Sequence, residues 1–229
     1  MQVTFKELMS AVLPVHLPPG PIGVAVLTSC TGMKRAEPAP AEDLYTGRQH
    51  VALMDGVRAF RRSPRAAGAH VWIVSAKHGV VAGDQVLAPY ERTFQGMPKA
   101  RIRQEAALLG IADGVVSVLY NPHHALRLVL LGDDYLEACQ GALRRPMPGQ
   151  TVVFAGHRAA RVLPRHAGLW VVGLAQAEAR QYHAGLVSLK GVLAAALLRR
   201  LGAELDHDER AAPGSDLVQR AASAGRGGQ

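Results

Sequence analysis

The chain has little of what marks the commonest chemistries. Its 229 residues include two cysteines, Cys30 and Cys139, and neither stands in a C-x-x-C pair or at a Cys/His zinc spacing. Neither a structural metal nor a disulfide framework is implied. Aromatic residues are only 5% of the chain, so a core has to be built from Ala, Val and Leu within a hydrophobic content of 48%. The longest apolar run, around residues 191–198, falls far short of the roughly 18 residues that span a membrane. The N-terminal MQVTFKELMSAVLPVHLPPGP has no long apolar stretch and no cleavage site of the signal-peptide kind. A soluble, cytoplasmic protein without membrane association is expected. The Walker pattern G-x-x-x-x-G-K-[ST], G-x-G-x-x-G after a strand, G-x-S-x-G and H-E-x-x-H are all missing. P-loop, dinucleotide, α/β-hydrolase and zincin chemistries lose their support, and no cofactor and no metal are expected.

Positive charge is in excess. Lys plus Arg is 26 against 18 for Asp plus Glu, a formal +8, and all but five of the cations are Arg. Such an excess favours a polyanionic partner, nucleic acid first, because phosphate neutralisation dominates that affinity.

Hydrophobic patterning predicts strands over residues 22–27, 69–74, 127–131, 151–154 and 169–174. Helices are predicted over 5–13, 48–62, 99–109, 135–143, 159–163 and 188–201, with 111–120 ambiguous between the two. An Asp after Gly132 suits the N-cap of the helix from 135, and Ser188 the start of the last helix. Alternating strands and helices imply an α/β three-layer sandwich with a mostly parallel sheet of four or five strands. Residues 1–20 read as a helix and a Pro-rich connector, 21–205 as a single α/β domain and 206–229 as a disordered tail.

Two of the strands end in similar loops. The first runs into Ser29, Cys30, Thr31 and Lys34, with Tyr45 to follow. The second runs into Ser75, Lys77 and His78. Each supplies a small polar residue, a cation and a glycine at the carboxyl end of a strand, where open α/β sheets bind ligands. Lys34 and Lys77 suit a phosphate, and His78 a proton donor or electrophile. Cys30 is either a nucleophile or inert core. The long stretch after the second strand carries Asp84 and Glu91, the best-placed carboxylates, and Tyr90, which, like Tyr45, could stack on a base. A basic helix with Lys99, Arg101 and Arg103, the pair His157 and Arg158 after the fourth strand, and Lys190 near a helix start add groups for a nucleic-acid backbone. Lys190 opposes the helix dipole there, so it needs a ligand or partner.

Four blocks in order carry a resemblance: Ser29-Cys30-Thr31-Gly32-Met33-Lys34, Pro40-Ala41-Glu42-Asp43-Leu44-Tyr45, Ser75-Ala76-Lys77-His78-Gly79-Val80 and Pro89-Tyr90-Glu91-Arg92-Thr93. They resemble the pattern S/A-C-x-x-x-K, P-A-x-x-L-Y, S-A-K-x-G-L and P-Y-x-x-T of bacterial and phage proteins of the DUF6884 type. Gly132-Asp133-Asp134-Tyr135 is similar, more loosely, to that family's G-x-x-Y. The family is in turn distantly similar to the uracil-DNA glycosylase-like fold. The resemblance implies a nucleic-acid base as ligand and an N-glycosidase that removes a modified base from DNA, with defence against phage as a setting. Uracil-DNA glycosylases carry an activating Asp or Asn in the loop after the first strand. This chain has no carboxylate there, so Glu91 or Asp84 would take that role, with His78 on the leaving base. Two other readings stay open: a non-catalytic domain that binds nucleic acid or a modified base, and a nucleotide or nucleoside hydrolase. RNA stands beside DNA as a partner, and the sequence leaves the oligomeric state open.

Overall fold

Strands buried on both faces read as near-continuous apolar runs, and such runs belong to parallel sheets covered by helices. The run IGVAVLTS meets that description and is buried along its whole length. The structure is a computed structural model that describes residues 1–11, 21–64, 66–139, 141–144, 146–174 and 176–211; the side chains of residues 11, 157 and 207–211 lie outside that description. Along the chain the elements are β1 (Gln2–Val3), α1 (Phe5–Ala11), β2 (Ile22–Ser29), β3 (Ala39–Pro40), α2 (Ala41–Leu44), α3 (Arg48–Phe60), β4 (Ala66–Ser75), β5 (Gly79–Ala82) and β6 (Val86–Leu87). They continue with α4 (Lys99–Leu108), α5 (Ile111–Leu119), β7 (Leu126–Leu130), α6 (Asp133–Ala138), β8 (Gln150–Gly156), α7 (His157–Val162), β9 (Leu169–Leu174), α8 (Gln176–Gln181) and α9 (Leu186–Ala211).

The main sheet has seven strands in the order β1-β9-β8-β7-β2-β4-β5, where the sequence pattern leads one to expect four or five. All neighbours are parallel except β5, which turns back antiparallel along β4. Numbered by appearance, the five central strands β2, β4, β7, β8 and β9 take the doubly wound order 2-1-3-4-5, whose direction reverses between the first and third. That switch point falls between β2 and β7. Connections run one way to β4 and the other way to β8 and β9. Right-handed crossovers therefore place α3 on one face and α6 and α7 on the other. On the α3 face, α9 packs along α3 and reaches β7 and β9. On the other, α5 meets β2 and β5, α4 meets α5 and α6, and α7 meets β8 and β9.

Several expected boundaries shift. Residues before Pro21 join the same sheet and core: β1 pairs with β9, and Phe5 and Leu8 are buried. The Pro-rich connector lies outside the described residues. α9 continues to Ala211, past the expected boundary at 205; residues from 212 onward lie outside the described residues. The ambiguous stretch 111–120 is a helix, because Ile111, Val115, Val118 and Leu119 share one buried face at helical spacing. Neither expected cap forms. Gly132, not an Asp, is the N-cap of α6, and Ser188 Oγ donates to the Gly185 carbonyl at 3.0 Å two residues inside α9.

Candidate functional site

Because β2 and β4 lie side by side, their carboxyl ends deliver two loops to one place. Ser29 registers with Val74, and the Cys30 N–H donates to the Val74 carbonyl at 3.0 Å. The loop after β2 then folds onto the segment that follows α2. Lys34 and Tyr45 form an isolated antiparallel bridge, and the Thr46 N–H donates to the Met33 carbonyl at 3.0 Å.

Ser75 ends β4 and closes its own turn. Its Oγ accepts the N–H of Lys77 at 3.1 Å and that of His78 at 3.0 Å, and lies 2.6 Å from Tyr90 Oη. Tyr90 Oη is in turn 2.7 Å from Tyr45 Oη. With both Ser75 lone pairs occupied, its proton goes to Tyr90, whose proton goes to Tyr45. Burial pushes the Tyr45 phenol up to about 12, against the opposing hydrogen bond from Tyr90. Burial raises Tyr90 as well, with the Cys30 thiol adding to it. These phenols remain protonated donors at neutral pH.

Three nitrogen groups surround Tyr90. Lys34 Nζ stands 4.7 Å and Lys77 Nζ 5.4 Å from its ring centroid, and the His78 ring meets it edge-on at 4.9 Å. Such cation–ring contacts help to hold an ammonium in place, and Lys34 Nζ also donates to the Gly32 carbonyl at 3.4 Å. The Lys34 side chain is only 4% exposed and lies 4.0 Å from Glu91 Oε1, whose own side chain is 89% exposed. His78 is held below its ordinary range by desolvation and then by Lys77. The two loops thus converge, but on Tyr90 rather than on an open space. Tyr45 and Tyr90 are both buried, so neither presents a free face to a base; that expectation is corrected. The open volume beside the cluster is a cleft of about 560 Å³ lined by Lys77, Tyr90, Glu91, Arg92, Glu105 and Leu108, among others. Ser29, Cys30, Thr31 and Lys34 do not line it, and neither does His78, which is exposed with its ring against the edge of Tyr90. Ser29 is buried, and Thr31 Oγ1 donates within its own loop to the Met33 carbonyl at 3.0 Å.

Cys30 is buried with its Sγ 2.9 Å from Tyr135 Oη, which also approaches Thr93 Oγ1 at 3.4 Å. The thiol is thereby part of a closed contact between β2 and α6 rather than an open nucleophile. Tyr135 is a site neighbour that sequence spacing gives no hint of. Only the G-x-x-Y block marks it.

Asp84 sits apart. It follows β5, whose Ala82 registers with Trp72, three residues before Ser75. At about 3.3 Å per residue that is roughly 10 Å down the sheet from the cluster. Asp84 is exposed there and does not join Lys34 or Lys77.

The cations expected to track a nucleic-acid backbone are mostly engaged. Lys99 and Arg103 meet Glu137 at 3.5 and 2.7 Å; Arg101 meets Glu105 at 3.0 Å, and Arg92 shares that carboxylate. The cations of these pairs are exposed, but the carboxylates are largely covered, Glu105 and Glu137 each serving two cations. Lys190 has its partner: Nζ donates to the Leu131 carbonyl just past β7, at the switch point. Burial lowers the Lys190 ammonium to about 8, with Asp133 opposing. Arg158 is exposed on α7, and the His157 side chain lies outside the described residues. A larger cleft, about 870 Å³, is lined in part by Lys99, Asp133 and Arg158.

A second polar cluster, beside the turn at residues 122–123, lies at the opposite edge of the sheet. His70 Nδ1 is 2.9 Å from His124 Nε2, and the fully buried Arg127 donates to the carbonyls of Asn121, at 2.7 Å, and Pro148. Among the described residues no group of three or more His, Cys, Asp or Glu could hold a metal ion, and no helix is long and apolar enough to cross a membrane.

No curated protein and no solved structure matches the chain. A family model does: residues 25–162, more than half of the chain, match the family of unknown function DUF6884. That span runs from β2 to the end of α7 and holds the Ser75–Tyr90–Tyr45 cluster and both clefts' main walls. The chain belongs to the DUF6884 family.

Proposed function

We propose that the protein is an N-glycosidase that releases a modified base from nucleic acid, DNA before RNA. The observation that carries this reading is Glu91: an exposed carboxylate, 4.0 Å from the nearly buried Lys34 ammonium, on the wall of the cleft beside Tyr90. In the proposed reaction the C1′–N bond to the base breaks and a C1′–O bond to water forms. Glu91 takes a proton from that water and stabilises positive charge on the sugar. The base leaves with the electrons of the C1′–N bond, stabilised by a hydrogen bond from His78, and is neutralised by the equivalent of the proton that Glu91 took from water; Lys77 and Arg92 hold flanking phosphates. Tyr90 is the floor on which these groups are set, not a stacking partner. The doubly wound parallel sheet, with its working groups at the carboxyl edge, supports the further proposal of a distant relationship to the uracil-DNA glycosylase-like fold. A cytoplasmic role in defence against phage belongs to the same proposal.

The test is incubation with genomic DNAs that carry different base modifications, followed by mass spectrometry of released bases. Release is expected from at least one DNA and should fall by about 100-fold or more in Glu91→Gln, within the usual range for a lost acid–base group. No released base from any DNA or RNA, or full activity in Glu91→Gln, would overturn the assignment. The ion pairing along α4 favours a second reading, a hydrolase of free nucleotides or nucleosides. Activity on nucleosides that is insensitive to salt would select it, since strand binding weakens steeply with salt.

A further inference from the structure

We propose that the cleft between α6 and α7 is a binding site for a nucleoside phosphate, separate from the cleft beside Tyr90. At about 870 Å³ it lies within the usual range of roughly 300–1,000 Å³ for small-molecule sites. Its lining divides by chemistry. Leu136, Val162 and Leu163 supply an apolar wall, on which Val162 is 83% exposed. Arg144 and Arg158 overlook the same space, both exposed and neither in an ion pair with a described residue. On α4 the arrangement is the reverse, every cation there being matched to Glu105 or Glu137. Asp133 adds an exposed carboxylate with no hydrogen bond to a described residue, whereas the other two carboxylates of the lining are engaged, Asp134 by the Gly96 N–H at 3.3 Å and Glu137 by Lys99 and Arg103.

This combination asks for one kind of ligand. Two unpaired guanidiniums suit a phosphate, which they can grip in bidentate fashion. The apolar wall suits a flat ring. The carboxylate suits a donor such as a base amino group or a sugar hydroxyl. A phosphorylated sugar would leave the wall uncovered, and a fatty acid, whose carboxylate the arginines would accept, would give Asp133 no donor. A nucleoside phosphate meets all three, either as a free nucleotide or as one unit of a strand. The proposal stands whether or not a glycosidic bond is cut beside Tyr90.

Calorimetric titration of the full chain with AMP, GMP, CMP and UMP, with adenosine, and with a single-stranded DNA oligomer tests it. A mononucleotide or the oligomer should bind, and adenosine should bind at least tenfold more weakly. Arg144→Ala and Arg158→Ala, at exposed positions that leave the core intact, should each weaken binding about tenfold or more. Glu91→Gln and Lys77→Ala, in the other cleft, should leave mononucleotide binding unchanged, while Lys77→Ala is free to weaken the oligomer through its own phosphate contact. Binding of a mononucleotide identifies the free nucleotide as the source, and binding of the oligomer alone identifies a strand. If no probe binds, if the arginine variants bind every probe as the wild type does, or if mononucleotide binding is lost in Lys77→Ala instead, the site is not there. Base release is measured separately, so its failure leaves this result interpretable.

Discussion

A single hydroxyl, Ser75 Oγ, organises three parts of the candidate site. It accepts two backbone N–H groups, which fixes the turn that presents Lys77 and His78, and it bonds to Tyr90, which fixes the floor. Ser75 is fully buried, so its removal leaves these donors without water to replace it. Ser75→Ala is expected to cost about 1–3 kcal/mol, the range for stranding buried polar groups, read as a lower denaturant midpoint with unchanged m-value. A change below about 0.5 kcal/mol would mean that water reaches Tyr90. Much of this site is legible in the sequence because its members are local: Ser75, Lys77 and His78 follow one strand, and Tyr90 and Glu91 share one loop. Tyr135 is not legible from spacing, since its contact with Cys30 closes 105 residues of chain. Nor is the burial of Tyr45 and Tyr90. Sequence shows that an aromatic ring is present near a loop, and only packing decides whether its face is free.

At the scale of elements, the crossing of α3 and α9 rests on two glycines. A Cβ on Gly56 would lie 2.3 Å from the Ala195 Cα, and one on Gly191 would lie 2.1 Å from the Gln49 carbonyl oxygen. In both cases the obstacle includes backbone, which cannot swing aside as a side chain can. Gly56→Ala and Gly191→Ala should each destabilise by about 1–3 kcal/mol or more through overpacking, although alanine is the better helix former. Gly32→Ala, with nothing within 4 Å of the added atom, is the control and should stay within about 0.5 kcal/mol. Equal midpoints for all three variants would show that α9 slides along α3 at little cost. The long helices and the five central strands are legible because their apolar periodicity is sustained over many residues. The strands that escape detection are short. β1 and β6 have two residues each, and β5 reads GVVA between turn signals, with no alternation long enough to register. Their pairing is dictated by the neighbours β9, β3 and β4, which a local pattern cannot reveal.

For the whole molecule, the clearest expectation concerns acid. At the edge of the sheet opposite the candidate site, His124 is 3% exposed and its Nδ1 has no partner among the described residues. Burial, then His70, Arg127 and His123, lower it to about 4, from an ordinary value near 6.5. His70 comes from β4, Arg127 from β7 and His123 from the connecting turn, so every titratable or charged group that shifts it is cationic or becomes so on protonation. The unfolded chain therefore binds a proton that the folded chain refuses between pH 6.5 and about 4, and stability falls across that window as pH drops. Above about pH 6.5 the effect is fully absent and the fold keeps its full stability. Denaturant midpoints measured from pH 8 to pH 4 should decline through that window. In His124→Gln, which retains a polar side chain of similar reach without a titrating ring, the decline should be shallower. Parallel pH profiles for the wild type and the variant would exclude His124 as the source. The outcome bears on the assays as well: base release and nucleotide binding are best measured above pH 6.5, where a loss of signal reports on the site and not on the proton that His124 takes up when the sheet opens.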